Sequence, residues 1–165
     1  MTLYLSNKEL TLQECTSDDH HALAEIYKST RRKEMEQAQN WTDHQKEAFL
    51  NQQFTFQHEY YQKNYVGAAF YVIIYKKTII GRLYIHPDFE RKSMRIIDIA
   101  ILPEWQNKGF GTGILKDIQQ EGKSRKLPVT IHVESFNPAM NLYKRLGFKK
   151  ISETNGVYFL FEWTP

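Results

Sequence analysis

The stretch Ile96-Ile97-Asp98-Ile99-Ala100-Ile101-Leu102-Pro103-Glu104-Trp105-Gln106-Asn107-Lys108-Gly109-Phe110-Gly111-Thr112-Gly113 constrains this chain more than any other. It opens with apolar, mostly β-branched residues, which suit a strand buried on both faces. Pro103 has no N–H to give to a ladder, so the strand stops there. A polar turn follows, then glycine at 109, 111 and 113. Ile114, Leu115 and Ile118 then recur at the spacing of a helix's buried face. Strand, glycine loop and helix start together make an anion site. Backbone N–H groups bared by glycine converge on a ligand, and the positive end of the helix adds to them.

Composition narrows the class. At 165 residues, with 41% hydrophobic and 25% charged residues, the chain reads as one soluble globular domain spanning 1–165. No apolar run approaches the roughly 20 residues needed to cross a bilayer, so no membrane role is expected. Met1 to Lys8 lacks a basic segment followed by an apolar core, which predicts a cytoplasmic location. The single Cys15 rules out an internal disulfide framework. A net charge of +3, from 22 basic and 19 acidic residues of mixed order, is too mild to predict nucleic-acid binding.

In order along the chain, Leu10 to Glu14 alternates as a strand. A helix is expected from Asp18 to about Gln37, with Leu23, Ile26 and Tyr27 as its apolar stripe. Asn40-Trp41-Thr42-Asp43 reads as a break with a new cap, and a second helix runs from there to about Lys63. Its aromatics form two stripes, Phe49/Phe56/Tyr60 and Phe54/Tyr61, both read mainly as core. Gly67 to Tyr75 and Thr78 to Ile85 read as paired strands, with His86-Pro87-Asp88 closing the hairpin and Phe89 to Ser93 linking onward. The helix after the glycine loop runs to about Arg125, and Val129 to Val133 is a short buried strand. Phe136-Asn137-Pro138-Ala139 starts another helix, ended by Gly147. Phe148 to Ile151 and Val157 to Trp163 form a hairpin turning at Asn155-Gly156. The order β-α-α-β-β-β-α-β-α-β-β predicts the α/β (α+β mixed sheet) class: a central mixed, mostly antiparallel sheet with helices on both faces.

Two phosphate motifs fail on the glycine run. The dinucleotide pattern needs its third glycine three residues after the second, and Gly113 comes two after Gly111. The Walker pattern needs a terminal Gly-Lys-Ser/Thr, which is missing. What does match is Gln106-x-x-Gly109-x-Gly111, which resembles the acetyl-coenzyme A signature of the GNAT N-acetyltransferase superfamily. Asn137-Pro138-Ala139-Met140-Asn141-Leu142-Tyr143-Lys144-Arg145-Leu146-Gly147-Phe148 resembles that superfamily's second signature.

The resemblance implies transfer of acetyl from acetyl-coenzyme A directly to an acceptor amine, with no metal. It implies that Gln106, Asn107, Lys108, Gly109, Phe110, Gly111 and Thr112 cradle the coenzyme pyrophosphate. Ile99, Ala100 and Ile101 would flank its pantetheine arm. Asn137 and Ala139 would contact the coenzyme, Asn137 equally serving as a helix cap. Tyr143 would face the sulfur and protonate the leaving thiolate, or else be a half-buried core tyrosine. A base is also required, and Glu134 and Asp98 are both candidates, though each can be read as an ordinary strand acid. The acceptor is a small molecule in the first reading and a protein lysine or N-terminal amine in the second. A coenzyme-binding module without catalysis is a third reading. Family members also commonly form homodimers. Arg31 and Arg32 read as a solvated face or as partners for an acceptor carboxylate; Trp41, Phe56 and Tyr60 as core or as acceptor contacts. Cys15, without a basic neighbour, reads as a small buried residue.

Overall fold

In the computed structural model, residues 2–88 and 90–165 are described. Seven strands form one sheet: β1 (Leu10–Glu14), β2 (Ala69–Tyr75), β3 (Thr78–Asp88), β4 (Ser93–Ile101), β5 (Val129–Glu134), β6 (Lys149–Thr154) and β7 (Tyr158–Trp163). Their order across the sheet is β1-β2-β3-β4-β5-β7-β6. Four α-helices accompany them: α1 (His20–Glu36), α2 (Asp43–Asn64), α3 (Phe110–Arg125) and α4 (Met140–Arg145). This is the expected order of elements on a mixed sheet. Among the described residues no helix is long and apolar enough to cross a membrane.

Alternation along the strands divides the apolar residues between two faces. On one face Leu83, Ile85, Met94, Ile96 and Ile131 pack with Ile114, Leu115 and Ile118 of α3 and with Tyr143 of α4. On the other, Val72 and Tyr84 pack with Leu23 and Tyr27 of α1 and Leu50 and Phe54 of α2. Helix starts and stops follow local chemistry. Thr42 and Gln45 form a reciprocal capping box at the head of α2. At the end of α4, Gly147 has φ +88°, while Phe148 N–H donates to the Tyr143 carbonyl and Gly147 N–H to that of Lys144. Asn155 and Gly156 both have positive φ, as a tight primed turn requires.

Three expectations change. β3 runs on through the expected turn at 86–88 and forms a hairpin with β4, with Asp88 paired to Ser93 and Pro87 to Met94. Pro87 is tolerated because β2 covers β3 only as far as Ile85, so the missing N–H faces no neighbouring strand. The predicted link from Phe89 begins outside the described residues. α4 starts at Met140 rather than at Phe136, because residues 136–139 form a turn instead. On α2 the sheet selects Leu50, Phe54, Gln57 and Tyr61, while Phe56 (56% exposed) and Tyr60 (57%) face outward. Aromatics on nearly every side of this helix leave periodicity unable to choose the buried face.

The join that shapes the candidate site is between β4 and β5. They are the only parallel neighbours among the described residues, because α3 carries the chain across between them. Their ladder holds three pairs, Met94–Val129, Arg95–Thr130 and Ile96–Ile131, and then ends. A bulge against β3 coincides with this point: Tyr84 pairs with Asp98 and Ile85 with Ile96, leaving Ile97 extra. Beyond it β4 stays bound to β3 while β5 stays bound to β7, and the sheet opens between them.

Close approach of β3 to the freed part of β4 rests on Gly81. A Cβ there would overlap the Ala100 carbonyl and press on Ile101. Gly81→Ala is therefore expected to cost about 1–3 kcal/mol, the usual penalty for overpacking. A urea titration would read this as a lower midpoint at constant slope; an unchanged midpoint would contradict the packing described.

Candidate active site

The opening has a backbone lining set by strand parity. Leu102 N–H donates to the Ile80 carbonyl, and the Ala100 carbonyl is directed at Gly81. Beyond the bulge, even-numbered residues of β4 therefore spend their backbone groups on β3, and Ile99 and Ile101 turn theirs toward the opening. Ala100, expected to flank the coenzyme as well, turns its backbone the other way. Gln106 closes the end of the strand, its Nε2 donating to the Ile101 carbonyl at 2.7 Å.

The loop that follows is a ready-made anion cradle. A 3₁₀ turn (Pro103–Trp105) uses the Gln106 N–H, which donates to the Pro103 carbonyl. This narrows the expected cradle by one residue, because the Gln106 N–H is already engaged. From Asn107 to Thr112 the N–H groups find no backbone acceptor, and Gly113 is the first to donate, to Gly109. Asn107 (φ +59°) and Gly109 (φ +84°) take the left-handed conformation on either side of Lys108. Such alternation turns successive N–H groups inward.

Whether a pyrophosphate fits can be judged from the glycines. Cβ atoms added at Gly109 or Gly113 would meet nothing within 4 Å, and one at Gly111 would only touch Ile101 at 4.0 Å. At Gly122, by contrast, a Cβ would stand 2.9 Å from the Leu127 carbonyl. Packing accounts for Gly122 and backbone conformation for Gly109. Neither accounts for Gly111 or Gly113, and the space above them suits a ligand that approaches the helix start closely.

Tyr143 approaches from the α3/α4 face. Its ring is 4% exposed and stands edge-on to Phe148 at 5.9 Å. The hydroxyl makes no hydrogen bond to described residues, yet it is not among the sealed, unpartnered polar atoms. Burial pushes its pKa above the ordinary tyrosine range, and the Asp98 carboxylate adds to that. The hydroxyl thus stays protonated through neutral pH. It is also a weaker acid than an unperturbed tyrosine. Asn137 organises the turn before α4, its Oδ1 accepting from the Ala139 N–H at 2.9 Å. Its side-chain amide N–H₂ remains uncommitted, so capping and ligand binding are compatible.

On the α1/α2 side, one carboxylate stands on each strand of the opening. Glu134, at the end of β5, is exposed and makes no side-chain hydrogen bond or ion pair to described residues. Asp98 is placed on this side by the bulge and is ion-paired to Arg82 of β3. Around this pair lie Tyr61 and Tyr84, both with hydroxyls pushed up chiefly by burial, Tyr84 to about 12. Arg82, Gln57, Tyr61 and Tyr84 escaped sequence reasoning. The available signal was an arginine in the middle of the apolar run Ile79 to Ile85.

Other candidates make contacts of their own outside the opening. Arg31 is held by Glu34 and the Tyr27 hydroxyl along α1. Arg32 reaches only Glu25, at 4.0 Å. Trp41 stacks edge-on with Phe49. The Cys15 thiol is pushed up to about 12 by burial and then by Asp19, which makes it unreactive at neutral pH.

These glycines yield a test that separates folding from binding. Gly111→Ala adds a methyl group in open space at the start of a helix, where alanine is favoured by roughly 1 kcal/mol over glycine. Thermal stability should be unchanged or higher, while the Kd for coenzyme A by calorimetry rises at least about tenfold, a loss of about 1.4 kcal/mol. Unaltered coenzyme affinity would remove the loop from the site.

Comparison with known proteins agrees with this geometry. A family profile described as "Acetyltransferase (GNAT) family" matches residues 18–148. The N-alpha-acetyltransferase of Saccharolobus solfataricus is 29% identical over 109 residues, 56% of this chain and 63% of that protein. Human cysteine-rich protein 2-binding protein is 36% identical over 78 residues, 47% of this chain, but the match takes in only 10% of its own length. The crystal structure of PaiA N-acetyltransferase from Thermoplasma acidophilum in complex with coenzyme A shares the fold, with TM-score 0.67 at 16% identity over 94% of this chain and 99% of that one. With the family profile running from the head of α1 to the end of the second signature, the chain belongs to the GNAT acetyltransferase family.

Proposed function

We propose that the protein carries an acetyl group from acetyl-coenzyme A directly to a primary amine, the 165 residues acting as one domain. The observation that carries this is the parting of β4 from β5 beside a loop of bare N–H groups. Acetyl-coenzyme A, when bound, supplies an activated acyl group on a thiol leaving group. The cradle from Asn107 to Thr112 holds the pyrophosphate, assisted by the start of α3. The free backbone groups of Ile99 pair with the amides of the pantetheine arm, and the N–H of Ile101, whose carbonyl Gln106 already holds, polarises the thioester carbonyl. Lys108 and Phe110 contribute through their backbone, while Asn137 and Ala139 border the coenzyme from the α4 side.

The acceptor needs a base. An alkylamine of pKa about 10.4 costs about 4–5 kcal/mol to present unprotonated at pH 7. Glu134 first takes the ammonium proton and releases it to solvent, which frees the lone pair. It then takes the proton that the nitrogen sheds as the C–N bond forms, while Tyr143 gives its hydroxyl proton to the sulfur as the C–S bond breaks and regains one from Glu134 through solvent. Glu134 is preferred to Asp98 because its carboxylate is uncommitted, whereas that of Asp98 is engaged by a buried cation. A small-molecule amine is the first reading for the acceptor. A peptide α-amine is the second, favoured by the two archaeal N-alpha-acetyltransferases, each 29% identical over about half of this chain. An α-amine has a pKa of about 8 and costs only about 1 kcal/mol to deprotonate, so it asks less of the base. Retention of Tyr143 and of the open loop argues against a module without catalysis.

Thioester consumption with a panel of alkylamines, lysine peptides and free peptide N-termini tests the proposal, and no turnover with any of them would overturn it. Tyr143→Phe is expected to lower kcat by about 100-fold or more at unchanged coenzyme affinity. Because burial raises this hydroxyl, the wild-type rate should not fall through tyrosine ionisation up to about pH 10. Glu134→Gln should lose about 100-fold in kcat at pH 7, and the deficit should shrink as rising pH supplies free amine. A pH-independent deficit would remove Glu134 as the base.

A further inference from the structure

Arg82 sits in the middle of the sheet, between Val72 on β2 and Ala100 on β4. It is 2% exposed, with the rings of Tyr84 and Tyr27 at 5.0 and 5.8 Å from its guanidinium carbon. Nη2 reaches the Asp98 carboxylate and donates to Gln57 Oε1 at 2.9 Å, while Nε and Nη1 have no hydrogen-bond partner among the described residues. Burial works against this charge, yet Asp98, Tyr84 and Tyr61 together outweigh it, and the guanidinium stays ionised. A buried ion pair repays its desolvation only when its remaining donors are filled, and an apolar pair of similar size often gives a more stable fold. With two nitrogens lacking a partner among the described residues, an apolar pair would serve the fold as well, and the position of the pair points to another use.

The pair has a direction. Asp98 Oδ2 is sealed against the guanidinium, but Oδ1 is not, and 25% of the side chain remains exposed beside the opening. The carboxylate also acts on hydroxyls from both faces, Tyr61 on α2 and Tyr143 on α4. It therefore lies between the acceptor side and the residue assigned to the leaving group.

We infer that Arg82 is a positioning residue that fixes Asp98 as the hydrogen-bond acceptor orienting the incoming amine, leaving Glu134 as the base. This rests on the acetyltransferase reading above. Asp98 Oδ1 accepts one N–H of the amine and so aims the nitrogen lone pair at the opening. Arg82 behind it makes the pair neutral overall. Without that cation, a bare carboxylate would hold the acceptor as an ammonium, whose lone pair is occupied and which cannot attack.

The two residues consequently have different signatures. Asp98→Asn should raise the KM for the amine at least tenfold, with the KM for acetyl-coenzyme A unchanged. Arg82→Gln should leave the amine KM equal or lower, reduce kcat, and move the acid limb of kcat upward by about one pH unit, the smaller end of the effect of an unpaired opposite charge. Arg82→Lys should restore the limb. The double variant Arg82→Met/Asp98→Leu should melt no lower than wild type yet lose amine turnover. A wild-type amine KM in Asp98→Asn, or an acid limb unmoved in a folded Arg82→Gln, overturns the inference; if Arg82→Gln does not fold, Asp98→Asn decides alone. Wild-type protein that consumes no thioester with any amine would instead overturn the underlying reading.

Discussion

The arrangement of the site depends on a three-pair parallel ladder that stops. Had β4 and β5 continued to pair past Ile96 and Ile131, the backbone of Ile99 and Ile101 would be consumed within the sheet. Its ending leaves polar backbone groups facing an opening, and such groups are costly unless water or a ligand satisfies them. Each strand is anchored on its far side, β4 by β3 and β5 by β7, so the opening is framed by paired strands. The bulge at Ile97 contributes the parity change. Met94 bonds toward β5, its N–H donating to the Pro128 carbonyl, whereas beyond the bulge it is the odd residues that face that way. The same extra residue turns Asp98 toward α1 and α2.

That parting also brings the two faces of the sheet into contact with one another chemically. Elsewhere the sheet separates an α3/α4 layer from an α1/α2 layer, each with its own apolar cluster. At the opening, Tyr143 from one layer falls within the field of Asp98 on the other. A donor held along the α3/α4 side and an acceptor arriving from the α1/α2 side can then meet without a covalent relay through the protein. In the proposed reaction the bare loop would supply charge complementarity for the donor, and the carboxylates of Asp98 and Glu134 would supply it for an amine.

Features written in local chemistry were legible in the sequence. The glycine loop, the stop at Pro103, the cap at Thr42, the C-terminal glycine at 147 and the Asn155-Gly156 turn each depend on a few adjacent residues, and each lies where the pattern places it. Features set by register were not. Which of Ile99, Ala100 and Ile101 faces the opening depends on one inserted residue opposite Tyr84 and Ile85. The partnership of Arg82 with Asp98 joins residues brought together by a hairpin, and Gln57 joins them from a helix chosen among several aromatic faces. Gly147 and Gly111 look alike as letters, yet one is explained by its φ of +88° and the other only by empty space above it.

The most direct measurement follows individual backbone amides by NMR while coenzyme A is titrated into the protein. Perturbation and exchange protection should concentrate on Ile99, Ile101 and the run Asn107 to Thr112, with Ala100 little affected although it lies between two responders. Equal responses from Ala100 and its neighbours, or a binding footprint away from the β4–β5 opening, would contradict the account.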